Sequence, residues 1–263
     1  MPLASDRCIC LRRFEYSETS QILTLLGRDQ GLVRVIAKGA HRRTKAGASK
    51  FDGGVDLMDL GQAVMSIDPA RDLGTLTEWK LADGRRELRE SLRAIYLGLS
   101  ACEIAATLIE EHDPHPEVFD LLAICLDELG AGRVEQAYLA FVLDLLEAAG
   151  YLPQLTECVS CGKPVNDGQR ISVTTHRGGV LCGDCESAFP DRMPLDGRLL
   201  RLVRGIVQLP RQAGRRSRLP QVTRHQTDPI NRILIEHIET IAGKRLRTSS
   251  YLLGRPAVER VGR

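Results

Sequence analysis

Four cysteines in two closely spaced pairs are the residues of this sequence whose types and spacing most clearly predict chemistry. They read Cys158-Val-Ser-Cys161 and, after twenty further residues, Cys182-Gly-Asp-Cys185. Each pair can bind a tetrahedral Zn²⁺ from a tight turn, and two pairs complete a four-sulfur shell with no position for water. We therefore predict one structural zinc ion per chain, held in a zinc ribbon by Cys158, Cys161, Cys182 and Cys185.

The residues around these cysteines fit the turns and the hairpin that a ribbon needs. Gly162 and Gly183 let the backbone fold back beneath a metal. Between the pairs, residues 171–175 indicate a short strand and Gly178-Gly179 a hairpin turn. His176 is expected on the surface of that hairpin, away from the metal. Two alternatives for the cysteines are two disulfides, which require an oxidising compartment, and four unrelated buried thiols.

The composition is that of a globular protein whose charges are unevenly distributed. The 263 residues are 43% hydrophobic and 27% charged, with a formal net charge of +2. Residues 81–150 carry fourteen acidic residues against five basic ones, and residues 151–263 carry nineteen basic against ten acidic. No uncharged stretch is long enough to span a bilayer and no apolar signal core is present at the N-terminus. We expect a cytoplasmic protein with no membrane partner and with its other four cysteines reduced: Cys8, Cys10, Cys102 and Cys125.

Residues 1–80 are predicted to form a five-stranded OB-type β-barrel. Short apolar or alternating runs separated by turn residues occupy residues 8–14, 21–26, 32–37, 55–60 and 63–67. Closing such strands into a barrel removes the exposed edges that a five-stranded sheet would otherwise have. The rings of this half are expected to pack in the core: Phe14, Tyr16, Phe51 and Trp79.

A basic strand and loop in the predicted barrel could contact a polyanion. Residues 33–51 contain no acidic residue. Cations in this stretch could lie along a phosphate backbone: Arg34, Lys38, Arg42, Arg43, Lys45 and Lys50. The alternative is a loop kept polar for solubility. Because aromatic residues are few, nucleic-acid binding here is expected to use backbone contacts and not base stacking.

Helical periodicity begins near Asp83 and predicts a helical domain that carries the ribbon. Three amphipathic helices are expected over residues 83–111, 117–129 and 134–149. Two more are expected over residues 199–207 and after Asp228, which would cap the last helix with Pro229 in its first turn. The fold class is therefore α+β. The predicted domains are the OB barrel (1–80), the first helical part (81–154), the four-cysteine zinc ribbon (155–190), the second helical part (191–250) and a tail (251–263).

Arginine is concentrated after the ribbon. Nine arginines occur from Arg192 to Arg224, against the single acidic residue Asp196. Guanidinium groups can bind phosphate or the carboxylates of an acidic peptide bidentately. The predicted contacts with DNA or with an acidic tail are Arg198, Arg201, Arg211, Arg215, Arg216 and Arg218. The alternative is an exposed helix stripe.

No pattern in the sequence indicates catalysis. The sequence has no phosphate-cradling Gly-rich loop, no carboxylates with metal-site spacing and no recognisable nucleophile with a partner base. The residues Glu110-Glu111-His112-Asp113 are interpreted as a polar helix end. A closed four-sulfur shell offers no position for substrate. We therefore predict that the protein is not an enzyme.

Several stretches of the sequence resemble the RecO family of bacterial recombinational-repair proteins. They are residues 22–40 (ILTLLGRDQGLVRVIAKGA), 72–78 (DLGTLTE), 145–155 (LLEAAGYLPQL), 158–162 (CVSCG) and 178–182 (GGVLC). The resemblance covers nearly the whole chain and is weakest after about Arg192. It implies an N-terminal OB fold, a helical C-terminal domain and a ribbon that holds zinc in members that keep its cysteines, as this sequence does.

The resemblance also implies a function and partners. RecO proteins bind single- and double-stranded DNA, anneal complementary strands, bind the acidic C-terminal tail of single-stranded DNA-binding protein, and join RecR to load the RecA recombinase. Arg34, Lys38, Arg42 and Arg43 match the basic strand and loop of the family. We thus expect a nucleoid-associated mediator of recombinational DNA repair. Two other classes stay open: a zinc-ribbon transcription regulator that binds one DNA sequence, and a metal-dependent nucleic-acid enzyme.

Overall fold

The fold is described from a computed structural model, which covers residues 3–41, 50–51, 53–68, 70–168, 170–209 and 219–252. The chain divides into two compact units, Met1–Val134 and Glu135–Arg263. The first contains a closed β-barrel and two helices, and the second contains a small sheet, four cysteines and further helices. The α+β fold class is confirmed. Among the described residues, no helix combines the length and apolar character needed to cross a membrane.

Five strands pair in a closed ring and form the barrel of the first unit. The order around the barrel is β1-β2-β3-β5-β4, with β4 returning to β1. Every pairing is antiparallel except that of β3 with β5. This is the arrangement of an OB barrel. The strands are β1 (Leu3–Ser17), β2 (Ser20–Gly27), β3 (Gly31–Ala37), β4 (Leu60–Ser66) and β5 (Gly74–Asp83).

Alternating side chains of these strands fill the barrel. In β3, Val33, Val35 and Ala37 are buried while Arg34 is exposed, because successive residues of a strand point to opposite faces. Cys8 and Cys10 are buried in the same core. The outer surface of β1 and β2 is covered at one end, where α1 contacts β1 and α2 contacts β2. The other end of this surface is exposed.

The predicted fourth strand, residues 55–60, is wrong. Asp56 and Asp59 fold this segment into a turn, since the N–H of Asp56 donates to the Asp59 carboxylate at 2.8 Å and the N–H of Asp59 to the Asp56 carbonyl at 3.2 Å. Val55 and Met58 of this turn are both buried in the core. Their spacing in the sequence therefore resembled that of a strand, although the backbone forms a turn. The predicted strand 63–67 is β4, and the fifth strand is the polar, alternating β5.

Two helices complete the first unit, α1 (Leu92–Leu108) and α2 (Pro116–Gly130). The predicted first helix, residues 83–111, is too long. A separate 3-10 turn occupies Glu87–Glu90, and the hydroxyl of Ser91 then caps α1 by accepting from the N–H of Ala94 at 3.3 Å.

The second unit joins helices to a three-stranded ribbon sheet. Its strands lie in the order β7-β6-β8, and β8 was not predicted. The turn between β6 and β7 ends at Gly178, which has φ 65°. The elements are α3 (Val134–Ala148), β6 (Ile171–Thr174), β7 (Gly179–Cys182), β8 (Met193–Leu195), α4 (Gly197–Gln208), α5 (Arg224–Ala242) and α6 (Ser249–Leu252).

The start of α5 corrects another prediction, because Asp228 does not cap it. Thr223 is the N-cap, and its capping box with Gln226 begins the helix one turn earlier. Asp228 instead accepts from Arg224 at 3.0 Å within the helix, and Pro229 lies inside α5. An Asp-Pro pair is typical of a helix start, which explains the prediction. The capping box satisfies more of the N–H groups that the first turn of a helix leaves without partners.

Candidate metal centre and nucleic-acid interface

The four predicted cysteine ligands converge at one end of the ribbon. The sulfurs of Cys158, Cys161, Cys182 and Cys185 all lie within 4.8 Å of one another. Cys158 and Cys182 are buried, whereas Cys161 is exposed and Cys185 is half-buried. The structure has all four as free thiols, so neither the disulfide interpretation nor that of four unrelated thiols holds. His176 is exposed and lies outside this cluster.

The spacing of the sulfurs fits a tetrahedral metal. The Sγ atoms of Cys161 and Cys182 are 3.8 Å apart. A regular tetrahedron with metal–sulfur bonds of about 2.3 Å has edges of about 3.8 Å, whereas a disulfide would need about 2.05 Å. The cluster could therefore bind a metal ion such as Zn²⁺ through four sulfurs, in a shell without an open position.

Tight turns on both sides of the cluster place the sulfurs. After the first pair, the N–H of Gly162 donates to the Cys158 carbonyl at 2.8 Å, and Gly162 has φ 73°, a conformation that side chains disfavour. In the second pair the N–H of Cys185 donates to the Cys182 carbonyl at 3.1 Å. Gly183 does not have a positive φ, so only the first of the two glycines is needed for the backbone conformation that the sequence suggested.

Neighbouring groups push the thiol pKa values in opposite directions. Burial raises the pKa of Cys158, but the backbone N–H groups of Cys182, Cys161 and Ser160 lower it more, to about 6. The Ser160 side chain lowers the pKa of Cys185, but the adjacent sulfurs of Cys182 and Cys161 raise it, to about 12. Four such sulfurs resist ionising together, and a divalent cation between them would compensate that repulsion.

Arg204 on α4 fastens the ribbon to the helices, a role that the sequence did not indicate. Its guanidinium group donates to the carbonyls of Leu155 and Val165, with nitrogen–oxygen distances of 2.6 and 2.8 Å, and to the carboxylate of Asp167 at 2.8 Å. The carboxylate of Asp167 also accepts from Arg201 at 2.7 Å. Apolar contacts reinforce this attachment, because Leu200 of α4 and Ile233 of α5 belong to the ribbon core.

The described cations of the barrel site lie on its exposed outer surface. Arg34 lies in β3, Lys38 directly follows it, and Lys50 lies on a turn. All three side chains are exposed, and none forms an ion pair with another described residue. Arg13 and Arg28, by contrast, pair with Asp56 at 2.7 Å and Asp120 at 2.9 Å. We call Arg34, Lys38 and Lys50 the cationic face.

A cleft of about 560 Å³ opens beside the cationic face. Lys38 and Lys50 line it together with the hydroxyl-bearing Tyr16, Thr19 and Ser20. Cations and hydroxyl groups are the side chains that contact phosphate and sugar oxygens in nucleic-acid complexes. The remaining predicted contacts of this region, Arg42, Arg43 and Lys45, lie outside the described residues.

Two rings near the cleft contradict the expectation that all aromatic residues of this half are buried. Phe51 and Trp79 are in the core, but Phe14 is 52% and Tyr16 66% exposed. They lie at the end of β1, beyond a register shift between Cys10 and Arg12, and the pairing with Ile22 places Phe14 on the outer surface. The number of aromatic residues does not indicate which of them are exposed. The structure shows that β1 ends in a run of exposed residues that includes both rings.

The arginines predicted after the ribbon are only partly described. Arg198 is exposed near the start of α4, and Arg201 pairs with Asp167 although its side chain is 71% exposed. Arg211, Arg215, Arg216 and Arg218 lie outside the described residues. A basic cavity of about 470 Å³ between β8 and α5 was not predicted. Its lining includes Arg192, Arg224, His225, Arg232, Ile233 and Leu252, and also Asp228, which pairs with Arg224 at 3.0 Å.

Comparisons with known proteins place the chain in a family. The family model described as Recombination protein O N terminal matches residues 1–85, and the one described as Recombination protein O C terminal matches residues 89–250. A protein from Anaeromyxobacter sp. (strain K) named DNA repair protein RecO is 35% identical over 198 residues, 74% of this chain and 76% of that protein.

Two further relatives carry the same name, DNA repair protein RecO. The protein from Anaeromyxobacter sp. (strain Fw109-5) is 30% identical over 246 residues, 93% of each chain. The protein from Bacillus pumilus (strain SAFR-032) is 31% identical over 206 residues, 77% of this chain and 76% of that protein. The matches extend over the barrel, the ribbon and the helices that hold them. This chain therefore belongs to the RecO family of DNA repair proteins.

Proposed function

We propose that the protein is a mediator of recombinational DNA repair that binds single- and double-stranded DNA and anneals complementary strands. The observation that carries the proposal is the cationic face, whose side chains have no ion pair with other described residues on a barrel of a DNA repair family. Phosphate groups would supply the missing anions and release their counterions. Residues 1–80 would be the DNA-binding domain, and Arg42, Arg43 and Lys45 are proposed as further DNA contacts.

Annealing needs no covalent step from the protein, and we propose none. Cations on the barrel lower the repulsion between two phosphate backbones and keep both strands close to each other. Base pairing then supplies the favourable free energy. The protein would thus act as a surface that concentrates and neutralises its substrates, and not as an enzyme.

The four-cysteine cluster would hold one structural Zn²⁺ in the ribbon of residues 155–190. Tetrahedral sulfur spacing and the absence of an open position in a four-sulfur shell support zinc over an ion that activates water. The zinc would keep the ribbon folded against α4 and α5. It would have no direct part in annealing.

The helical parts, residues 81–154 and 191–250, would recruit proteins. The acidic tail of single-stranded DNA-binding protein suits the basic cavity of the second unit, where arginines surround the apolar side chains of Ile233 and Leu252. The exposed Arg198 and the arginines of residues 211–218 could add to that contact. RecR would join the complex to load RecA, in a nucleoid-associated assembly in the cytoplasm.

The proposed function is tested by annealing two complementary oligonucleotides coated with single-stranded DNA-binding protein, in the absence of nucleotide. We expect acceleration that is lost when the coating protein lacks its acidic tail, and lost on bare strands when Arg34→Glu and Lys38→Glu are combined. The matched control Arg13→Gln, whose arginine is already paired, should anneal normally. No acceleration, together with tight binding to one duplex sequence, would instead support a transcription regulator.

A further inference from the structure

The exposed rings Phe14 and Tyr16 belong to a continuous apolar strip on the barrel. Phe14 pairs with Ile22 and Ile22 pairs with Ile36, so the three side chains form one row across β1, β2 and β3. Tyr16 lines the same cleft as Ile36. Ile22 and Ile36 are half-buried and the two rings are more than half exposed. We call Phe14, Tyr16, Ile22 and Ile36 the ring platform.

Cations border the ring platform on two sides. On one side the adjacent cross-strand row is Arg12, Thr24 and Arg34. On the other side Lys38 and Lys50 line the cleft beside Tyr16. Arg12 and Arg34, like the two lysines, form no ion pair with another described residue. Apolar rings between two lines of such cations match a single polynucleotide strand, whose bases are apolar on their faces and whose phosphates are anionic.

The acidic residue between the two rings, Glu15, has partners within the protein. Glu15 lies between the two rings in sequence, but it pairs with Arg13 at 3.5 Å and with His41 at 3.2 Å, and accepts from Gln21 at 3.1 Å. The Gln21 hydrogen bond lowers the pKa of Glu15, with His41 and Arg13 acting in the same direction. Its charge is therefore directed at protein groups. Glu18, exposed on the turn between two residues of the cleft, is one acidic residue against the two lysines that line it, Lys38 and Lys50.

The spacing of the rings favours an extended single strand over a duplex. Two residues along a strand span roughly 6.6 Å, whereas bases in a duplex strand stack every 3.4 Å or so and present only their edges. Unstacked bases of a single strand can each lie on one ring. From this geometry we propose that Phe14 and Tyr16 stack on two bases of single-stranded DNA and make the barrel selective for single strands.

This inference rests on the proposed DNA binding and refines it. The cationic face would bind any phosphate backbone, so it gives affinity without selectivity. The ring platform would add contacts that a duplex cannot make. This difference would favour annealing, because the protein would bind the paired product more weakly than the single strands and would release it.

The test compares the binding of a fluorescent deoxythymidine oligomer with that of a duplex of mixed sequence, using the full-length protein. Phe14→Leu and Tyr16→Leu each remove a ring from an exposed position while keeping an apolar side chain. We expect each to weaken oligomer binding by about tenfold and the pair by about a hundredfold, with duplex binding within about twofold of the wild type. The salt dependence should stay unchanged, since stacking releases no counterions.

Two kinds of control separate stacking from other effects. Phe14→Tyr keeps a ring and should bind the oligomer like the wild type. Tyr16→Phe keeps the ring but removes a hydroxyl group from the cleft, so it should lose much less oligomer binding than Tyr16→Leu. Tyr251→Leu removes an exposed ring of the second unit and should have no effect. Circular dichroism confirms that each variant is folded. Equal losses for oligomer and duplex, or no loss for either, would overturn the inference while leaving DNA binding intact. If the wild type bound neither DNA, the proposed function itself would be wrong.

Discussion

Arginine has opposite roles in the barrel and in the ribbon. On the barrel, Arg34 is exposed beside Lys38 and has no ion pair with another described residue. At the ribbon, Arg204 is largely buried and its donors are occupied by two backbone carbonyls and by Asp167. The difference lies in where the acceptors are in space, which a charge count along the chain does not contain. A cation that has acceptors nearby holds the fold, and one that has none can bind a ligand.

The two regions also differ in what stabilises them. The barrel has five paired strands that close on themselves around an apolar core that includes Trp79 and Met65. The ribbon has three strands of three or four residues, and two of its cysteines count among its buried core residues. A sheet of this size buries too little apolar surface to be stable alone. The ribbon should therefore depend on a metal, and the barrel should not.

The largest expected effect comes from removing one of the four candidate metal ligands. Cys161 is exposed, so Cys161→Ser changes the packing little and its effect reports metal loss. We expect the second unit to lose about 5 kcal/mol or more, which lowers its melting temperature by about 10 to 20 °C. Mass spectrometry of bound metal and thermal unfolding measure this, with Lys163→Ala as the control from the same turn. A variant without metal that melts like the wild type would show that the metal is not structural.

The next effect distinguishes two arginines of one helix. Arg204→Met leaves two carbonyls and one side of Asp167 without donors, and should cost about 3 kcal/mol of unfolding free energy. Arg201→Met removes a mostly exposed partner of the same carboxylate and should cost less than about 1 kcal/mol. Urea unfolding of the two variants measures the difference. Similar losses would contradict the role given to Arg204 in holding the ribbon.

A smaller effect concerns the barrel cations, whose loss should change binding and leave stability alone. Arg34→Gln and Lys38→Gln should each reduce the slope of log affinity against log salt concentration by about 1. Arg13→Gln serves as the control, because the wild-type Arg13 already pairs with Asp56 and should bind phosphate weakly. Salt titrations with single-stranded DNA measure the slopes. If Arg13→Gln changed the slope as much as the other two, ion pairing would not predict which cations bind.

The smallest effect is a pH dependence inside the barrel. Burial raises the pKa of Asp6 above its usual value, although the N–H groups of Asp29 and Gln30 that donate to its carboxylate lower it in part. The folded state therefore holds the Asp6 proton more tightly than the unfolded state, and this contribution to stability is lost as the pH rises through the folded pKa.

Asp6→Asn should remove that loss, because an amide oxygen can accept the same hydrogen bonds without ionising. We expect the unfolding free energy of the variant, relative to that of the wild type, to increase as the pH is raised from below 3.8 towards neutrality. Urea unfolding across this range measures the difference. A difference that is constant or decreases with pH would contradict the assigned direction.

Residue spacing predicted the parts of the structure that depend on local chemistry. The cysteine pairs gave the ribbon and its four candidate ligands, because two residues between cysteines nearly fix the turn. Helices α2 and α3 lie close to their predicted bounds, because glycine and proline mark their ends. The prediction of a strand at residues 55–60 was wrong, because hydrogen bonds between Asp56 and Asp59 fold this apolar segment into a turn.

What the sequence did not reveal depends on contacts between distant residues. Arg204 lies in an arginine-rich stretch, and nothing in the local sequence distinguishes it from Arg198. Its structural role depends on hydrogen bonds to Asp167 and to two backbone carbonyls, which are distant in the sequence. Phe14 and Tyr16 lie in the exposed end of β1, whose earlier residues are mostly buried and which α1 contacts. Their exposure depends on which part of the strand other elements cover, which no periodicity within β1 encodes.

The parallel pairing of β3 with β5 decides when the barrel can close during folding. Val35 meets Gly74 across this seam, whereas β1, β2 and β3 are joined by short turns and can pair as soon as they are made. Contacts between residues far apart in the chain form late, because the loop must lose its entropy first. Until the seam forms, β3 carries a bare strand edge that can pair with another chain. The interval before closure is when the folding protein is most exposed to aggregation.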